Sequence, residues 1–241
     1  MRGSHFAFIG ISLLLLASCK KEDVEKPKVS YDASKVAKGP VKVDSAQIKI
    51  ADLPIQMEGT NYLIHPVGDL NVYEKGPKTK YGSSSVNDVS FTISNASENE
   101  ITGYLQNLKF QKIGSDSIKA LTDKPVLIQT ATYLKDVSAK IKRQIMVYSM
   151  MDMDTNKDGK LDVSDITTLY LSDSSGENFT KVSPDFQELI DWDLIESQKR
   201  LYFRTVEDTN KNGKFDSKDV VHYNYIDLTN KDWKVESYNP I

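Results

Sequence analysis

Asp154, Asn156, Asp158, Asp162 and Asp165 occupy the first, third, fifth, ninth and twelfth places of the stretch DTNKDGKLDVSD. Asp208, Asn210, Asn212, Asp216 and Asp219 occupy the same places of a second stretch, DTNKNGKFDSKD. The chemistry open to such a ladder of oxygens is to enclose a hard cation. Calcium takes six to eight oxygen ligands from carboxylates, amides, backbone carbonyls and water. A short loop delivers them by alternating oxygen-bearing residues with spacers, bending at a glycine, and returning an acid at its end. Gly159 and Gly213 stand at the sixth place for the bend, and Lys160 and Lys214 at the seventh lend their backbone carbonyls. Two calcium (Ca2+) sites are therefore expected; magnesium, which needs tighter octahedral geometry, suits the loops less well. The first loop carries four carboxylates and the second three, because Asn212 replaces an acid. Ligand charge tunes affinity, so the first loop should bind tighter. Leu161, at the eighth place, is expected to enter the adjoining core. Solvated turns whose Asx side chains bond their own backbone could use the same residues. One spacing written twice, with carboxylates that repel one another unless a cation intervenes, favours the ion. A register beginning at Asp152 would put Lys157 at the glycine place, which leaves Asp152 as a neighbouring or solvated acid.

The spacing is that of the EF-hand loop, with aspartate in place of glutamate at the twelfth position. That ending resembles the calcium loops of dockerins and other bacterial extracellular modules. The flanks depart from the family. RQIMVYSMM (143–151) and RLYFRTVED (200–208) precede the loops, and DITTLYLSD (165–173) and DVVHYNYID (219–227) follow them. All are crowded with β-branched and aromatic residues, and Val221, Tyr223 and Tyr225 alternate with His222 and Asn224. Each cation is thus expected in a hairpin joining two strands. A calmodulin-like opening between helices is not expected, nor is a dockerin fold, whose loops lie closer together.

VSFTIS (89–94), GYLQNLKF (103–110) and PVLIQTATYL (125–134) also read as strands, and no segment keeps a helical stripe for three turns. The fold class expected is all-β. An offset of 54 residues lays Asp154 on Asp208, Tyr148 on Tyr202 and Asp173 on Asp227. The two copies end in NFTKVSP and DWKVESYNP, and a fainter third copy runs from VSFTIS to SIKALTD. Such antiparallel modules resemble the blades of WD-repeat-like bacterial β-propellers. Three modules are fewer than the four to eight that close a ring. An incomplete propeller, a sandwich and an oligomer that completes the ring all fit the pattern.

The chain has 241 residues, 39% hydrophobic and 27% charged, enough apolar side chain for a core. A formal net charge of -3 gives no broad basic face, so no nucleic-acid partner is expected. Cys19 is the single cysteine, which rules out an intramolecular disulfide and a thiol zinc site. Arg2, the apolar run from Phe6 to Leu16 and the closing LASC (16–19) resemble a bacterial lipoprotein signal. That resemblance implies removal of residues 1–18, acylation of Cys19 and membrane attachment through the lipid. Lys20, Lys21, Glu22 and Asp23 resemble the surface-export signal of lipoproteins in one group of Gram-negative bacteria. They imply an outer-membrane lipoprotein exposed at the surface. Residues 19–40, rich in Lys and Glu with few large apolar side chains, read as a flexible tether. The folded domain is expected over 41–241.

Catalysis has little support. His65 and His222 read as packed or surface residues, and no nucleophile motif is present. Nothing fixes the spacing of acid pairs such as Asp191 and Asp193. Trp192 and Trp233 are expected in the core rather than stacked on a sugar. The triplets DSA (44–46) and DSI (116–118) resemble an O-glycosylation sequon of the same bacterial group. The expectation is a calcium-binding, lipid-anchored envelope protein, not an enzyme, with a structural or ligand-binding role and an unnamed protein or glycan partner. The alternative is a glycan-binding accessory lipoprotein, and a hydrolase is a distant third.

Overall fold

The computed structural model describes residues 26–32, 48–70 and 92–241. The signal, Cys19, the rest of the tether and the triplet 44–46 lie outside the described residues. Three antiparallel sheets make up the fold. The first orders β1 (Lys49–Ala51), β3 (Tyr62–Asp69), β6 (Asn107–Lys112) and β7 (Ile118–Ala120), and β2 (Ile55–Gln56) also pairs with β3. The second orders β11 (Thr180–Lys181), β10 (Thr168–Asp173), β9 (Ile145–Met151), β8 (Leu127–Tyr133), β5 (Glu100–Leu105) and β4 (Ser94–Ala96). The third is the meander β12 (Gln187–Ile195), β13 (Arg200–Glu207), β14 (Val220–Asp227) and β15 (Val235–Ser237). Among the described residues no sheet closes on itself, and the one helix, α1 (Lys135–Ile141), spans two turns. The fold is all-β and sandwich-like.

The second sheet is the middle layer. Every residue of β9 is buried, because successive side chains enter different cores. Met146, Tyr148 and Met150 join Ile64, Leu108 and Phe110 of the first sheet. Ile145 and Val147 join Leu169 and Leu171 of β10 and Leu201, Phe203 and Ile226 of the third sheet. The Tyr148 hydroxyl shares a 2.6 Å hydrogen bond with Ser172 Oγ, which satisfies the polar end of a fully buried ring. Phe179 stacks on Tyr170 at 4.6 Å and meets Tyr148 edge-on at 5.6 Å.

The register of the two repeat copies shows how they pack. Val147 pairs with Leu171 in the second sheet, and its repeat counterpart Leu201 pairs with Ile226 in the third, one residue beyond the 54-residue offset from Leu171. All four side chains lie in one core. The copies therefore meet by the same face, as the halves of a sandwich do, whereas stacked propeller blades meet by opposite faces. The fainter third copy does not form a sheet of its own. Its strands β4 and β5 extend the second sheet while β6 and β7 join the first, because the chain turns a corner at Gln106. Gly103, just before that corner, lies so close to Ile93 that a Cβ would come within 2.8 Å of the Ile93 carbonyl oxygen. The strand read at 103–110 is thus two strands in two layers.

Because Ile145 is fully buried between two layers, Ile145→Ala should cost about 2–5 kcal/mol. Urea denaturation would measure this as a lowered midpoint with an unchanged slope.

Candidate metal centre

Both oxygen-rich stretches are strand-to-strand connections: residues 154–165 lie between the paired strands β9 and β10, and 208–219 between β13 and β14. Within each, the same hydrogen bonds recur. Asp154 accepts the Asp158 and Gly159 amides at 3.1 and 2.8 Å, and Asp208 accepts the Asn212 and Gly213 amides at 3.1 and 2.7 Å. Asn156 Oδ1 takes the Asp158 amide, as Asn210 Oδ1 takes that of Asn212. The fifth residue accepts from the seventh in both loops, Asp158 from Lys160 and Asn212 from Lys214. Asp162 accepts from Ser164 and Asp216 from Lys218, and the twelfth residues Asp165 and Asp219 each take the amide of the ninth. Positive φ recurs too, at Lys157 and Gly159 (60° and 89°) and at Lys211 and Gly213 (56° and 80°). For a lysine that conformation costs about 1–2 kcal/mol.

The loops differ in how deeply they are set. Asp165 is fully buried, and its Oδ1 also accepts the Thr155 and Asn156 amides at 2.8 and 3.3 Å. Burial pushes its carboxyl up, against those donors and with help from the nearby Asp154 charge. Asp219 is only half-buried, and exposed Asp216 is held below the usual carboxylate range by the Lys218 amide. Leu161 and Phe215 are half-buried, so the eighth place rests at the core's edge rather than inside it.

The oxygen donors suit a hard cation, and the glycine at the sixth place lets each loop bend. Among the described residues no three acidic, histidine or cysteine side chains converge as a ligand set. The carboxylates are turned onto the loops' own amides, and an oxygen that accepts one N–H still has a lone pair for a ligand. The residues of both loops thus suit calcium in the chemistry of their donors and in the place of the glycine bend.

Part of the expected tether lies against both loops. The Lys28 amide donates to Ser164 O at 3.0 Å and the Ser30 amide to Thr155 O at 2.8 Å, both in the first loop. The Val29 amide donates to Gly213 O in the second loop at 3.2 Å, and the Val29 side chain is buried. Thr155 Oγ1 donates to Lys28 O, Lys157 Nζ to Asp32 O, and the Tyr31 hydroxyl to Asp208 O. The fit is close enough that a Cβ at Gly213 would come within 2.6 Å of Val29 O. Residues 26–32 form a strap across the two loops. Between strap and loops lies a cleft of about 430 Å³ that includes Tyr31, Lys157, Phe186, Glu207 and Lys211.

No family model, curated protein or solved structure matches the chain. Among the described residues both histidines are engaged locally: His65 Nε2 meets Gln111 Oε1 at 3.0 Å and His222 Nε2 meets Glu207 Oε2 at 2.8 Å. Asp191 is tied to Arg204 across the β12–β13 pair. A cavity of about 650 Å³ beside α1 contains Glu58 and Asp173, ion-paired with Lys135 and Arg143. Trp192 and Trp233 pack against the second core, Trp233 beneath the Arg143 guanidinium.

Sequence reading missed Glu188. It accepts the Thr167 amide at 2.7 Å, just past the first loop, and burial raises its pKa from 4.5 to about 7. Its one distinguishing mark in the sequence is an acid at the start of a strand, too common a feature to single it out. A carboxyl raised in the folded state favours folding while protonated. Stability should therefore fall as pH rises from about 4.5 to about 7. Denaturant melts across that range should show the decline, and Glu188→Gln should flatten it.

Proposed function

We propose that this chain is a calcium-stabilised lipoprotein of the cell envelope, attached through Cys19 and exposed at the surface, with a structural or ligand-binding role and no catalysis of its own. The observation that carries the calcium reading is the repetition of one hydrogen-bond ladder and one φ pattern in two hairpins of unlike burial. Asp154, Asn156, Asp158, Asp162 and Asp165, with the Lys160 carbonyl, would hold one ion. Asp208, Asn210, Asn212, Asp216 and Asp219, with the Lys214 carbonyl, would hold the other. The four-stranded meanders β8–β11 and β12–β15 are then blade-like modules, each carrying one calcium hairpin. At about a hundredfold excess over the dissociation constant, calcium would add roughly 2.7 kcal/mol per site. Against a total of about 5–15 kcal/mol, that is a structural contribution. The address rests on LASC at 16–19 and the charged residues 20–23.

A second reading, a glycan-binding accessory lipoprotein, is favoured by the outer face of the third sheet. Tyr202, Tyr223, Tyr225 and Tyr238 cluster there with ring centroids 5.4–6.1 Å apart, beside Arg200, Arg204 and Asp191. The equivalent cross-strand pair in the second sheet, Tyr148 and Tyr170, is covered by the first sheet. Tyr202 and Tyr225 have no such cover among the described residues. Aromatic faces rimmed by donors and acceptors suit sugar rings.

Calcium should raise the melting midpoint and chelator should lower it; an unchanged midpoint removes the ion. Calorimetry should find two sites of unequal strength. Asp158→Asn, which gives the first loop the carboxylate count of the second, should narrow the gap. Fatty-acid labelling of expressing cells should mark the chain and miss Cys19→Ala. Retention of one sugar class on a glycan array, lost with Tyr202→Ala, would favour the accessory protein.

A further inference from the structure

We propose that residues 26–32 are a clasp coupled to the two loops: occupied loops hold it, emptied loops release it, and its seating raises the affinity of both. This rests on the calcium reading above and adds a regulated element to it. The groups that receive the strap belong to the cation loops themselves. Thr155 and Ser164 are the second and eleventh residues of the first loop, and Asp208 and Gly213 are the first and sixth of the second. Each offers its backbone carbonyl, so the strap is held chiefly by the loops' path, with Thr155 Oγ1 and Lys157 Nζ adding side-chain bonds to it. That path depends on the carboxylates staying inside the loop on its own amides. Without a cation, four like charges in the first loop and three in the second repel one another and favour opening. A cation removes the repulsion and so stabilises the conformation that the strap recognises.

The strap also joins what the sheets keep apart. The first loop caps a hairpin of the second sheet and the second loop caps one of the third, and the short run from Lys28 to Ser30 bonds to both. Val29 sits at the junction, its amide on Gly213 O and its side chain buried. Linkage is reciprocal: whatever factor the ions contribute to strap seating, the seated strap contributes to ion affinity.

The consequence concerns reach. Lys26 lies seven positions after Cys19, and Lys49, where the first sheet begins, lies thirty positions after it. Fully extended, these lengths span at most about 25 Å and about 100 Å. For a lipid-anchored chain, a seated strap keeps the loop end of the body close to the bilayer. A released one allows several times that distance. Calcium would then set how far the body can stand from its anchor.

The test uses the full chain and Ca2+ alone. Amide hydrogen exchange at Lys28, Val29 and Ser30 is followed in excess calcium and in chelator, alongside calorimetric calcium titration of the parent chain and of Val29→Asp. The amides should be protected in calcium and exchange at least about tenfold faster in chelator. Val29→Asp should weaken calcium binding by about fivefold or more, within the usual range of such couplings, and Val29→Ile should leave it near the parent value. Equal protection in calcium and chelator overturns the clasp, and so does a Val29→Asp titration that matches the parent. Two such outcomes with normal calcium binding leave the ion reading standing, whereas a parent chain that takes up no calcium removes both.

Discussion

β9 is buried on both faces, and the layering of the whole molecule follows from that constraint. A strand presents its side chains alternately to two sides, so one that is apolar at nearly every position needs a cover on each. Met146, Tyr148 and Met150 require the first sheet, and Ile145 and Val147 require the third. Neither outer sheet could be removed without exposing a row of large side chains. The same layering sets the loops' positions. Both repeat copies turn the face bearing Val147 or Leu201 to a common core, and the strap can touch the loops of both. The hairpin ends are therefore held near one another by a hydrophobic core that contains none of their residues.

Setting an oxygen-rich loop in a β-hairpin changes what a bound cation could do. Between two helices, such a loop can transmit occupancy as a change of interhelical angle. Between β13 and β14, whose register runs unbroken from Arg200–Asp227 to Glu207–Val220, the flanking strands have no comparable freedom. What can respond is the loop itself and whatever leans on it. In the first loop the response is restrained by Asp165, whose buried carboxylate gathers the amides of Thr155, Asn156 and Asp162. In the second, Asp219 takes one backbone amide and is only half-buried. The deeper loop is pinned by its own backbone and also makes more of the hydrogen bonds to the strap than the shallower one does.

The parts legible in the sequence were those with a short-range code. Period-two alternation marked β9, β10, β13 and β14, and the fixed spacing of Asp, Asn and Gly marked two loops that do share a conformation. The 54-residue offset identified paired copies, yet offset alone does not say which faces meet. That was decided by the burial of Val147 and Leu201 in one core. β3 carries a weak signal, since Pro66 interrupts its ladder of donors, yet neighbours on both sides pair with it as a central strand. The corner at Gln106 hid inside a run that reads as a single strand. Lys26 to Asp32 looked like solvated tether for a plainer reason: a segment with one apolar anchor, Val29, has no periodicity to detect. Its order comes from backbone bonds to residues more than a hundred positions away.

That last case bears on how compositional arguments for disorder should be used. Residues 26–32 cannot fold alone, since a single buried valine does not offset the entropy of fixing seven residues, about 1–2 kcal/mol each for the backbone. They are ordered because the loops present carbonyls at Thr155, Ser164 and Gly213 in a fixed arrangement, which spares the strap the cost of organising its own partners. Pre-organisation of that kind is as strong as the loops' own order and no stronger. The strap is therefore coupled to two oxygen-rich, highly charged turns. The proposed lipid anchor lies seven residues before the strap, so a change at those turns would be felt first in the connection between body and anchor.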